Sequence, residues 1–185
     1  AIHMTFNEFP YHRPDLEQYR ADFNTRLEQF KAAESASGQI SSMEAINAIR
    51  SSFDTMFQIC MIRHTIDTRD TFYAEEQAFF DENSPKVEAL ISEYYKALIA
   101  SPFRKELETH FGPQLFRIAE MSLRTFSPEI IDLLVKENKL GTRYTEILAS
   151  AAIPFDGREL NLSEFGPYMR NPDRAVRKAA AEARW

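Results

Sequence analysis

The residues best suited to chemistry gather in one run, Arg63 to Glu82, RHTIDTRDTFYAEEQAFFDE. Arg63, Asp67 and Asp70 follow one another at helical spacing, with His64 alongside and Glu75, Glu76, Asp81 and Glu82 further on. Arg63 and Asp67, four apart, read as an ion pair that fixes helix register. His64 reads as a core histidine held by a backbone or carboxylate group, and the four acids as a solvated face. A zinc peptidase of the zincin type needs two histidines four apart on one helix, with a glutamate beside the first to activate water. The histidines are His3, His12, His64 and His110, and no two of them are four apart. Glu-x-x-His, the pairing used by di-metal bundles, is absent as well. Glu106 and His110 share a helix face and read as a surface pair. Cys60, in Gln-Ile-Cys-Met-Ile, has apolar neighbours that raise a thiol's pKa, so it reads as inert packing. No glycine-rich phosphate cradle and no Gly-x-Ser-x-Gly elbow occurs. These residues supply no catalytic group and no metal-ligand set.

The elements that would position this run are helices. Pro14 suits a first helical position, and Leu16, Tyr19, Phe23, Leu27 and Phe30 then form one face at spacings of three and four. Ser35 to Gly38 reads as a connection, and Ser41 with Glu44 as a capping box for the next helix. Its stripe is Ile46, Ile49, Phe53, Met56 and Cys60, with Phe57, Ile59 and Ile62 flanking it. A helix apolar nearly all round belongs inside a bundle. Beyond Cys60 two readings stand: one helix from Met43 to Phe80, roughly 57 Å long, or a break near Thr68, where threonines lower helix propensity. Ser84-Pro85 and Ser101-Pro102 each open a further helix, and Gly112-Pro113 stops the second. Leu115, Ile118 and Ala119 continue helically. Ser127-Pro128 starts a helix closed by Gly141, and Thr142 to Ala151 reads as another. The period changes once, at residues 153–162, where Asp156-Gly157 suits a two-residue hairpin turn. Asn171-Pro172 caps a last helix that meets no stop signal before Trp185. The fold class is therefore mainly α, a multi-helix bundle-like lobe with one small β-hairpin near residues 153–162.

The chain has 185 residues, 22 of them basic and 28 acidic, for a net charge of −6 that argues against a nucleic-acid surface. The basic residues near the end, Arg170, Arg174, Arg177, Lys178 and Arg184, read as a solvated helix face. No apolar run approaches a membrane span and no signal peptide is visible. A single cysteine fits a reducing compartment, so the expected location is cytoplasmic. Ala1-Ile2-His3 resembles a remnant of an expression vector.

Three blocks carry a family resemblance. They are Arg63 to Glu82; Ser101 to Glu108 through Phe111-Gly112, Phe126 to Glu129 and Glu137 to Leu140; and Leu148 to Gly157 with Asp173 to Ala179. In this order the sequence resembles the N-terminal part of an oligoendopeptidase F-type zinc metallopeptidase of the thimet oligopeptidase family. The resemblance implies a two-lobed helical enzyme around a channel that admits short peptides. Zinc would be held by HExxH and a later glutamate in a C-terminal half, beyond these residues. It also implies that residues 4–185 are an N-terminal lobe, with long helices over 14–126 and shorter helices, the hairpin and an unfinished last helix over 127–185. Its partners would be oligopeptide substrate and the C-terminal catalytic lobe. Arg63, His64 and Asp67 become candidates for the channel wall, with no catalytic or metal residue carried over. The competing reading is a stand-alone helical interaction module that binds a partner or peptide without catalysis.

Overall fold

The aromatic stripe of the first helix does what its spacing demands. In the computed structural model, which describes residues 5–185, Tyr19, Phe23, Leu27 and Phe30 are all buried on α1 (Leu16–Ala32). The expected start at Pro14 is shifted. Asp15 is the N-cap, its carboxylate accepting from the amides of Glu17 and Gln18, which leaves Pro14 outside the helix. Similarly, α2 (Ala36–Ile66) begins at its Ser35 cap rather than at Ser41, because the Ser35 hydroxyl accepts from Gly38 N. Ala1 to His3, read as a remnant, lie outside the described residues.

The break near Thr68 is present, and two aspartates make it. Asp67 leaves helical geometry and its carboxylate accepts from the Arg69 amide at 3.0 Å. Asp70 then caps α3 (Thr71–Ile99), accepting from the amides of Phe72 and Tyr73. A short acidic side chain offers the backbone a partner outside the helix, and two of them three residues apart close one helix and open the next. The short turns after α1 and α2 fold the three long helices back on one another. Phe53 and Phe80 meet edge-to-face at 5.3 Å in their shared core, and Phe30 meets Tyr94 at 5.8 Å.

Pro85 does not open a helix; it sits inside α3. A proline there leaves the carbonyl four residues back, that of Asp81, without its helical donor. Asn138 Nδ2 supplies one at 3.2 Å. After α4 (Arg104–Phe111), Gly112 stops the chain as expected, with φ +84°. α5 (Gln114–Thr125) packs on α3, as does α6 (Ile131–Ala149), entered through a 3-10 turn at Pro128–Ile130. Gly141 closes nothing: α6 runs through it without interruption, so the two expected helices are one.

The hairpin is β1 (Ile153–Phe155) paired antiparallel with β2 (Arg158–Leu160). Asp156 and Gly157 both take positive φ, +52° and +72°, which the two-residue turn requires. Leu160 and Phe165 form a second small core with Ala180 of α8 (Arg174–Arg184), next to the short α7 (Gly166–Met169). The cap of α8 is Asp173; the Asn171 side chain accepts from its amide instead. No described helix is long and apolar enough to cross a membrane.

Candidate functional site

The break between α2 and α3 separates the candidate residues. Arg63 does not pair with Asp67. Its guanidinium donates to the Tyr73 hydroxyl at 2.6 Å and to the carbonyl oxygens of Phe6, Asn7 and Phe9, the last at 2.7 Å. The planar fork matches several carbonyls at once, so Arg63 straps the segment before α1 onto α2 and α3. Asp67 pairs with Arg69 at 3.2 Å and borders a cleft of about 380 Å³ between the α2–α3 turn and the end of α6 at Ala149 and Ser150. His64 is 4% exposed. Its Nε2 lies 3.8 Å from Glu146 Oε1, and neither ring nitrogen has a hydrogen-bond partner. The core-histidine expectation holds for burial and fails for its hydrogen bond.

Two acids read as solvated are buried. Glu76 accepts from Arg13 Nη2 at 2.6 Å and from the Tyr11 hydroxyl, which continues the strap begun by Arg63. Burial opposes ionisation of Glu76, yet the Arg13 hydrogen bonds and charge, with the Tyr11 hydroxyl, hold it below the usual range. The Tyr11 hydroxyl is pushed up, by burial first and by the hydrogen bond to Glu76 second. Asp81 accepts from Gln77 Nε2 at 3.0 Å and from Thr142 Oγ1 at 2.7 Å. Glu82 does face solvent, with Lys139 at 2.8 Å. Cys60 is fully buried, and burial pushes its thiol up to about 12, so it is inert packing as expected.

Sequence reasoning missed Glu76, Asp81, Asn138, Thr142 and Glu146. One signal was available for the first two. Tyr73, Glu76, Phe80, Ser84 and Val87 are spaced three and four apart, so Glu76 lies on the Phe80 face and Asp81 beside it.

The arrangement can hold chain segments together and border a cleft. Among the described residues no three His, Cys, Asp or Glu side chains converge, and the His64–Glu146 pair lacks the further ligands a zinc site needs.

The model of the peptidase M3 N-terminal domain matches residues 6–126. The chain belongs to the M3 peptidase family. Three solved structures are similar to this M3 chain. One is PZ peptidase A with an inhibitor, 49% identical over 97% of this chain, with TM-score 0.94. Another, described as an oligoendopeptidase F, is 50% identical over 98% of it, also at TM-score 0.94. The third, described as an oligoendopeptidase F from Bacillus anthracis, is 47% identical over 100%, at TM-score 0.93. The chain spans only 32–34% of the length of these proteins. Among curated proteins none matches it.

Because Glu76 is held below its ordinary value of 4.5, the stability it contributes is fully present above that pH and is lost as pH falls below it. Glu76→Gln keeps the shape and removes the charge. Thermal unfolding at pH 7 is expected to show a loss of roughly 2–4 kcal/mol, which shrinks as the pH is lowered below 4.5. An unchanged stability at pH 7 would show that the strap contributes nothing.

Proposed function

We propose that this chain is the N-terminal, non-catalytic lobe of a zinc-dependent oligoendopeptidase that hydrolyses internal bonds of short peptides in the cytoplasm. The observation that carries the reading is identity near 50% over nearly the whole chain to peptidases about three times as long. Among the described residues no donor set converges, and the reading assigns metal and hydrolysis to the remainder of the longer protein. The lobe's contribution is one wall of the channel that admits oligopeptides.

Within this lobe we assign the α2–α3 turn to that wall. Asp67 borders the cleft beside α6, His64 lies buried close by, and Arg63 strengthens the wall by anchoring the segment before α1. A carboxylate at a cleft edge would bias binding toward cationic peptide groups. The exposed apolar side chains of α6 count against a self-sufficient interaction module, which would cover them.

The test compares the full reading frame with residues 1–185. The long protein is expected to cleave short peptides, to lose activity to a chelator and to regain it with zinc. The 185-residue chain is expected neither to cleave nor to bind stoichiometric zinc; zinc-dependent cleavage by it would overturn the lobe reading. In the long protein, Asp67→Asn should raise KM for cationic peptides with kcat unchanged. Equal KM values would remove Asp67 from the wall.

A further inference from the structure

α6 is turned inside out. Its polar residues face the bundle: Asn138 and Thr142 bond to Asp81, Lys139 pairs with Glu82, and Glu146 approaches His64. Ile131, Leu134 and Val135 are half-buried, but the five largest exposed apolar side chains of the helix form a stripe on the far side. Leu133, Leu140, Tyr144, Ile147 and Leu148 are 61%, 70%, 63%, 52% and 39% exposed, and no residue of the helix is buried. At 100° per residue these five positions fall within an arc of about 100°, the width of a core-facing stripe. A water-facing helix presents the opposite arrangement, so this stripe is built to be covered.

We infer that the α6 stripe is the docking face for the portion of an M3 peptidase that lies beyond this lobe, an inference that rests on the function proposed above. α6 lies outside residues 6–126, the span matched by the N-terminal domain model. The three solved relatives nevertheless match 97–100% of this chain, so the helix has a counterpart in proteins three times as long. Those proteins hold roughly two-thirds of their length outside the matched part, ample to cover one helix face. The lobe's own core does not compete for it, because the Asp81 contacts commit the opposite side of α6 inward. The occupant is an apolar surface of the same polypeptide, and α6 seats the catalytic part against the bundle.

Thiol labelling with a maleimide tests this directly. Cys60, buried and with its thiol pushed up to about 12, stays silent in a folded protein and reports unfolding if it reacts. Leu140→Cys in the 185-residue chain is expected to label rapidly. The same substitution in the full-length protein should label at least about 100-fold more slowly. Where Cys60 also reacts, Tyr144→Cys replaces Leu140→Cys. Equal rates in a full-length protein that still cleaves peptides would overturn the docking face and leave the peptidase reading intact. A full-length protein without peptidase activity would overturn that reading instead, and the labelling ratio would still decide the face. Protection that appears in the short chain only as its concentration rises, together with dimer sedimentation, would make a second copy the occupant and overturn the inference.

Discussion

Pro85 sits inside a buried helix and cannot donate the hydrogen bond that the Asp81 carbonyl would otherwise receive. A buried carbonyl left without a donor costs about 1–3 kcal/mol. The donor comes from outside the helix, from Asn138 of α6. The Asp81 carboxylate, 6% exposed, is satisfied by Gln77 and by Thr142, again from α6. One residue of α3 thus asks for two polar partners, and α6 is oriented to provide them. Its apolar side has no choice but to point away. The interaction that fixes α6 to the lobe is the same one that makes its outer face available.

A second set of polar contacts fixes the other side of α3. Arg63 gathers three carbonyl oxygens of the segment before α1, while Tyr11 and Arg13 from that segment reach Glu76. Between these two polar seams lies the aromatic core around Phe53 and Phe80. Burial of that core holds α1, α2 and α3 together, whereas the seams decide where their neighbours sit. Hydrogen bonds suit that second task because they are directional and costly to leave unmade.

What the sequence disclosed followed local rules. The Tyr19–Phe30 face, the stop at Gly112 and the Asp156-Gly157 hairpin all depend on residues close in sequence, and all are present. The α2–α3 break was one of two open readings, since Asp67 and Asp70 suit either a helix surface or a cap. The errors arose where a distant residue supplies what the local rule assumes missing. Pro85 and Gly141 read as helix punctuation, yet Asn138 satisfies the carbonyl that Pro85 frees, and the backbone of α6 stays helical at Gly141. Glu76 and Asp81 read as solvated because they are acids, and their partners, Arg13 and Thr142, lie 63 and 61 residues away. The candidate site suffered likewise. Arg63 and Asp67 lie four apart in sequence, but the turn that Asp67 itself begins takes them in different directions.

The central claim is that polar contacts through Asp81, rather than apolar packing, hold α6 on the bundle. Amide hydrogen exchange on the 185-residue chain and its Asp81→Ala/Asn138→Ala double variant tests it most directly, since one alanine removes the carboxylate, the other removes the donor to the Asp81 carbonyl, and both preserve their helices. The account predicts that α6 amides lose protection by roughly tenfold or more while those of α1 and the buried stretch of α2 keep theirs. Unchanged protection along α6 would contradict the claim, as would a uniform loss across the bundle.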